Sequence, residues 1–530
     1  MRVQISPIAP FTNKTLLIPL NLYFFKYNKY KINDLIKKIQ IVKQKTPILN
    51  FITLTLLYTS LSANSTLPRQ SLKSNGQIVH NSKPSFVSEF SNMFSEGLFY
   101  GRLRTNNFYY DWKKEDSGHS SHFISGLGTS LLYNSATFKH IDFGVGLYGS
   151  YAFFNANSDP VGHLKAGKDI LSRFNYVNRG SKAMGVVGQA YLRYSGLSKS
   201  QLIVGRQLVE SFYTKSNDTK MVPNTFDGLV FQTKAISKTA LKIAYLHQQK
   251  LRDHTQTHGV LVVGDSSSSS SINPQWSEND DAGMHKGLTY SALKASNKPT
   301  AAPLITGDIK NRSLQNLQVN ASFYLVPELV SQIMTELNYT VTLADNVSIT
   351  PGLRYIRQFD HGGGEVGGAS ITTNTTGYKD INSIDAQMIA ARVVGKVDNY
   401  KINLGFSYVL DEADLITPWR GFPTAGYTRS MGRYNWRANT KSYRLEVVRS
   451  ANAEGVYRDV FIQASILYTD GDDAKLGIND ELYYYIGFVQ NIPSLVNLQW
   501  RLRLGYADYV DRSASDLNNL DSRFEINYLF

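Results

Sequence analysis

The stretch richest in reactive side chains is GHSSHF at 118–123, where His119 and His122 flank Ser120 and Ser121. Nucleophilic hydrolysis would need a serine, a base touching it and an acid orienting that base. Adjacent residues on a strand point apart and no positioned acid accompanies these, so no catalytic set forms. The acidic stretch DGDDAKLGINDE at 470–481 has the density of a calcium loop. Lys475 stands at the sharp-turn position where that loop needs glycine, which favours a solvated surface loop. There is no glycine-rich nucleotide motif, no zinc-type His/Cys spacing and no energy-coupling domain. An enzyme, a cofactor and a metal are therefore not expected.

The remaining charged residues with work to do are basic and recur at alternate positions. Arg102 and Arg104 are one such pair, and Arg501 and Arg503 another. Side chains two residues apart share one face of a strand, so each pair implies a strand with one charged wall. The segment LVNLQWRLRLGY sets Val496, Leu498, Trp500, Leu502, Leu504 and Tyr506 against Asn497, Gln499, Arg501 and Arg503. YKINLGFSYVL sets Tyr400, Ile402, Leu404, Phe406, Tyr408 and Leu410 against Lys401, Asn403 and Ser407. IMTELNYTVTL and LQVNASFYL repeat the pattern. Roughly sixteen to eighteen such segments, each about ten residues long, run from 97 to 530, with the weakest between 251 and 316.

Strands of that length and period fit a transmembrane antiparallel β-barrel, because only helices and closed barrels satisfy every backbone group in lipid. The connections sort by length accordingly. Short turns at 134–137, 197–200, 344–346, 396–399, 451–455 and 491–494 are expected on the periplasmic side. Long loops at 111–121, 155–182, 208–226, 252–285, 359–383, 411–439 and 470–480 are expected outside. The stretch 294–315 fits neither class. At the carboxyl end RFEINYLF puts Phe524, Ile526, Tyr528 and the terminal Phe530 on one face. A closing strand of this kind is expected to offer Phe530 as the signal to the barrel-assembly machinery of a Gram-negative outer membrane.

Composition is compatible with this. The 530 residues include 33 Tyr, 26 Phe, 39 Gly and no Cys, with 42% hydrophobic residues and no uninterrupted apolar run of membrane-helix length in the body. The amino-terminal end differs. Basic IKKIQIVKQK followed by apolar TPILNFITLTLLYTSLSA reads as a signal peptide over 36–63, with 1–35 an over-extended start and 64–96 a short periplasmic segment before a barrel at 97–530. Residues 1–63 carry a net +8 of the chain's +14, which leaves +6 and little support for nucleic-acid binding.

A barrel of this size is wide enough for water, so its inward polar residues become the functional ones. By alternation these are Arg102, Arg104, Arg193, Lys242, Arg354, Lys401, Arg444, Arg501, Arg503 and Arg523 against fewer acids, namely Glu336, Glu446, Glu525 and Asp142. A basic wall in a narrow passage favours anions, while the same arginines could instead tie loops inside the barrel.

Two loops stand out: GRQLVESFYTKSNDTKMVPNTFDG at 205–228, and PWRGFPTAGYTRSMGRYNWRANTKSY at 418–443 with Arg420, Arg429, Arg433 and Arg437 among aromatics. On these motifs the chain resembles the OprD-like outer-membrane porins, particularly those of Campylobacter-type bacteria, over about 85–530. Lys220 stands where that family's loop would carry arginine. The resemblance implies an eighteen-stranded barrel narrowed by infolded loops, with a basic ladder guiding carboxylate-bearing solutes. Arg102, Arg104, Arg354, Arg501 and Arg503 would belong to the ladder, and Asp218, Lys220, Arg420, Arg429 and Arg433 to the constriction. The expected function is passive diffusion of small hydrophilic solutes, by a monomer or homotrimer set in lipid and lipopolysaccharide. A surface adhesin or receptor acting through its external loops is the alternative.

Overall fold

A strand that faces lipid on one side and water on the other must alternate, and the alternation is now visible as burial. In the computed structural model, residues 70–116, 119–157, 169–261, 285–424, 426–451, 458–477, 479–511 and 514–530 are described. The expected signal peptide, the stretch 1–35 and the serine run at 264–271 lie outside them.

Eighteen antiparallel strands close into one barrel. In chain order they are β1 (Leu98–Trp112), β2 (His122–Asn134), β3 (Ile141–Asn155), β4 (Ala183–Tyr194), β5 (Ser200–Gln207), β6 (Thr225–Thr233), β7 (Thr239–Lys250), β8 (Leu304–Asn311) and β9 (Leu317–Val326). The second half comprises β10 (Val330–Tyr339), β11 (Val347–Asp360), β12 (Ala386–Val397), β13 (Tyr400–Val409), β14 (Thr440–Arg449), β15 (Val460–Asp470), β16 (Glu481–Asn491), β17 (Leu498–Tyr509) and β18 (Asn519–Leu529). Each strand pairs with its neighbours in sequence, and β18 pairs with β1 to remove the last edges, with Asn527 opposite Arg104 and Leu529 opposite Arg102. Closure leaves no strand edge to be desolvated in lipid.

The faces follow the alternation. Outward Leu353 of β11 and Leu404 of β13 are 61% and 54% exposed, whereas inward Gln332 of β10 and Gln358 of β11 are fully buried. On β18, Phe524, Ile526, Tyr528 and Phe530 share the outer side, while Arg523, Glu525 and Asn527 are buried inside.

Long connections gather at one end of the barrel and short ones at the other, with one departure. The β9–β10 connection, at 327–329, is tight although it lies at the long-loop end. The loop expected at 252–285 continues to 303 and carries a helix at Tyr290–Ala295. The misfit at 294–315 is thereby resolved: it holds the end of that loop, strand β8 and the next turn. β8 reads LITGDIKN, in which Gly307 and Asn311 interrupt the outward face of Ile305 and Ile309, and Leu304 lies on the inward face.

The segment read as periplasmic is partly elsewhere. Gln70–Leu72 and Ile78–His80 pair as a hairpin, and Ile78 packs with the inward Tyr100, Leu132, Tyr148 and Leu529. The hairpin therefore lies inside the wall. The acidic stretch at 470–481 is also more ordered than a solvated loop, since Lys475 is buried with its ammonium 2.6 Å from Asp411 and bonded to Asp472. A lysine there takes the central position that a cation would need.

Candidate channel constriction and its basic lining

β1 turns Arg102, Arg104, Asn106 and Phe108 inward at every second position, and all four are buried. They meet the loop at 208–224. Arg102 and Arg104 each donate to the Asp218 carboxylate at 2.9 Å, and Arg104 also donates to the Asp218 carbonyl at 2.9 Å. Asn106 donates to the Lys220 carbonyl at 2.9 Å, and the Lys220 ammonium sits 4.5 Å from the centre of the Phe108 ring.

The same loop is held from the far wall. Lys242 on β7 donates to the Glu210 carbonyl at 2.6 Å, and Asp308 on β8 accepts from the Phe212 amide at 3.1 Å. With one attachment on β1 and the other on β7 and β8, the loop crosses the interior of the barrel.

The loop at 410–439 packs beside it. Tyr213, Tyr324 and Trp419 form an edge-to-face chain with centroids 4.8 Å apart, and the Trp419 indole donates to the Tyr213 carbonyl at 2.8 Å. Arg354 on β11 donates from Nε to Glu336 at 2.8 Å and from Nη1 to the Thr424 carbonyl at 2.8 Å, with its guanidinium 4.3 Å from the Tyr427 ring. Burial is the main cause that pushes the Tyr427 phenol up to about 12. Arg433 pairs with Glu481 of β16 at 3.0 Å, and Arg429 lies 3.6 Å over the Phe422 ring.

A third junction joins several loops. Arg420, in a left-handed backbone conformation, reaches Asp253 at 2.8 Å and Asp169 at 3.3 Å, while Arg252 also pairs with Asp169 at 3.2 Å. His254 and His258 bond to each other at 2.9 Å beside it. Burial, reinforced at His254 by Arg420 and Lys250 and at His258 by its partner, holds both imidazoles well below their ordinary value.

Below the crossing loop, at the short-turn end, a cavity of about 850 Å³ opens between β5 and β11. Lys199, Lys234, Lys242, Lys310 and Arg354 line it against only Asp308 and Glu336. Gln201, Gln232, Asn320 and Ser322 add neutral donors and acceptors.

A model describing outer membrane porins of the OprD family matches residues 100–421. The chain belongs to the OprD family of outer-membrane porins. Solved structures agree on the fold. Acinetobacter baumannii OccAB3 superposes with a TM-score of 0.62 at 15% identity over 82% of this chain and 100% of that one. Pseudomonas aeruginosa OccK9 (OpdG) gives 0.63 at 13% identity, and OpdK with vanillate gives 0.60 at 13%, each covering 83% of this chain and 99% of the other. No curated protein matches the sequence significantly. As an OprD-family porin the chain is a non-enzymatic outer-membrane channel for small solutes, and the GHSSHF residues have other partners. His122 bonds to Asn155 at 2.6 Å, while His119 pairs with Asp116 at 2.9 Å.

The basic residues expected along this porin's lumen fall into three groups. Arg102, Arg104, Lys242 and Arg354 fasten loops, as described. Arg193, Arg444, Arg503 and Arg523 pair with carboxylates on the wall: Asp142 at 2.8 Å, Glu446 at 3.0 Å, Glu525, and Asp521 at 2.5 Å. Lys401 shares the inward face with buried Asn403 and Ser407 but is exposed near the short-turn end. Arg501 is half-buried and has no carboxylate within ion-pair distance among the described residues. The loop carboxylates Asp169 and Asp253 and the N-terminal hairpin were not anticipated. None of them lies in an alternating segment, so periodicity carries no signal for them.

Proposed function

We propose that this porin passes small anionic solutes, above all carboxylates, in preference to cations. The observation that carries the reading is the excess of base over acid along the interior. Five cations face two carboxylates in the short-turn cavity. On the β17, β18 and β1 wall Arg102, Arg104, Arg501, Arg503 and Arg523 face Asp218, Asp521 and Glu525. In a confined, low-dielectric passage an unbalanced wall charge draws in counter-ions and repels like charges. The relative OpdK was solved with vanillate, a small aromatic carboxylate, which accords with the same chemistry.

Pairing does not abolish this bias. Each buried ion pair cancels locally, but Arg501 and Lys401 remain without such a partner among the described residues. Loops at 208–224 and 410–439 spend their side chains inward on the lumen, which favours a channel over an adhesive outer surface. Recording single channels of the refolded protein in a planar bilayer under a salt gradient tests the proposal through the sign of the reversal potential. A cation-selective channel would overturn it.

A further inference from the structure

The hairpin at 70–80 sits within the lumen on the short-turn side of the crossing loop. Its two strands pair Gln70 with His80 and Leu72 with Ile78, and the connecting turn closes with Gly76 at φ +78°, a conformation glycine adopts without strain. The Lys73 amide donates to the Gln77 carbonyl at 2.9 Å and the Gly76 amide to the Lys73 carbonyl at 2.8 Å.

The contacts of the tip and of His80 are inward. The Gly76 carbonyl accepts from Arg102 at 2.8 Å, using the nitrogen that Asp218 leaves free. The Gln77 side-chain amide donates to Glu210 at 3.1 Å and to Ser216 at 3.0 Å, both on the crossing loop. His80 lies 5.4 Å from the inward Tyr100 ring. The tip meets the crossing loop so closely that a Cβ at Gly76 would stand 2.1 Å from the Asp218 carbonyl oxygen. Lys73 lies within electrostatic range of Lys242 and adds another cation to this half of the lumen.

The hairpin is also tethered at both ends. Gln70 donates to the Phe530 carbonyl at 2.7 Å, clasping it to the barrel seam. Beyond His80, Phe86–Val87 pairs in parallel with Thr137–Phe138 of the β2–β3 turn, and the Ala136 amide donates to the Met93 carbonyl at 3.0 Å.

We infer that the hairpin 70–80 is a built-in permeability element, a strut that seats the crossing loop and occupies lumen that would otherwise conduct. It rests on the channel reading, because an occupant of the lumen matters only if solutes pass. One end of the crossing loop is fixed from above by side chains of β1, and its underside is fixed by the hairpin. Solute width at the constriction then depends on the hairpin as well as on the outer loops.

The test needs no native thiol to be removed, because the chain has no cysteine. In a Gln77→Cys, Ser216→Cys variant the two thiols replace side chains whose tips bond at 3.0 Å, and a short bismaleimide is expected to bridge them in the folded barrel. Failure to crosslink in a heat-modifiable, folded barrel overturns the seating, whatever the channel does. Conductance is read next. A variant lacking residues 70–80 and a Gly76→Val variant are both expected to show higher single-channel conductance than wild type and to admit wider polyethylene glycols. Crosslinked Gln77→Cys, Ser216→Cys channels are expected to stay at or below wild-type conductance and to quieten. Unchanged conductance and size cut-off in the deletion variant overturn the inference while leaving the porin reading intact. A silent wild type with a conducting deletion variant supports a full plug, and silence of both folded proteins overturns the channel reading together with the inference.

Discussion

Arg104 holds Asp218 twice, at the carboxylate and at the backbone carbonyl, both at 2.9 Å. The bond to the carbonyl fixes where the crossing loop runs, and the bond to the carboxylate fixes how its side chain is turned. Arg102 shares the same carboxylate oxygen, so one acid serves two buried guanidiniums and the trio keeps a net positive charge. Removing the acid leaves two buried cations facing each other, a change of about 3–5 kcal/mol by the usual cost of breaking a buried pair. Asp218→Ala should therefore release the loop without unfolding the barrel, whose closure rests on backbone pairing. The expected readout is noisier single-channel current and a reversal potential shifted further toward anions. A quiet channel with wild-type selectivity would mean that Asp218 does not set the constriction.

Arg501 behaves differently because it has no bonded acid to leave behind. In the sheet it stands opposite Glu525, but that carboxylate is taken by Arg503. Arg501→Ala should lower the anion-to-cation permeability ratio by about two- to threefold at low salt, and the difference should shrink as screening shortens the reach of the wall charge. Arg503→Ala frees Glu525 as well, so it should shift selectivity further than Arg501→Ala. Equal ratios in wild type and Arg501→Ala would remove this wall from the account of selectivity.

These two predictions draw on what the sequence does and does not expose. Arg102, Arg104, Arg501 and Arg503 are legible because alternation alone puts them inside, and Asp218 is legible because its loop carries a family motif. The loop groups that bind other basic residues are not. Asp169 and Asp253, which take Arg420, and Glu210, whose carbonyl takes Lys242, lie in aperiodic loops, where position depends on long-range packing that no local pattern encodes. β8 is hard to read because Gly307 and Asn311 leave only Ile305 and Ile309 on its apolar face, and the hairpin at 70–80 is hard because strands of three residues fall below the length at which a period of two can be recognised.

The loop junctions should respond to acid unequally. His254 and His258 have folded values well below the usual imidazole value near 6.5, so the unfolded state binds more protons in the window beneath it. Their contribution is complete above about 6.5 and is lost as pH falls below it. Arg420, Lys250, Asp169 and Asp253 surround them, and a new imidazolium beside Arg420 adds repulsion. The Lys475 clamp titrates elsewhere. Burial raises the Asp411 and Asp472 carboxyls, but the hydrogen bonds from Lys475 together with those from Lys379 to Asp411 and from Asn439 and the Ala474 amide to Asp472 outweigh it, and both end below the ordinary value. Their contribution persists until pH falls through those lowered values. Hydrogen exchange at pH 5 against pH 7 should therefore show faster exchange, after correction for intrinsic rates, at 251–261 and around Arg420, with 472–475 unchanged. Uniform loosening of both regions would contradict the separation.

Substitution can separate the backbone of Phe530 from its ring. The Phe530 backbone closes the seam, since its carbonyl accepts from the Gly101 amide at 2.9 Å and its amide donates to the Gly101 carbonyl at 3.2 Å. The ring lies outside, over Gly101, where an added Cβ would come within 2.6 Å of it and 2.4 Å of the Ser130 carbonyl. Phe530→Ala keeps the backbone clasp and loses only the ring. If assembly machinery reads that ring, Phe530→Ala should fold in detergent at close to wild-type yield yet reach the outer membrane of cells several-fold less. Deleting Phe530 altogether leaves the Gly101 amide and Gln70 without their acceptor, which costs about 1–3 kcal/mol for each buried group left unsatisfied. That variant should be impaired in detergent as well. Equal impairment of Phe530→Ala in detergent and in cells would assign the ring to seam packing and not to recognition.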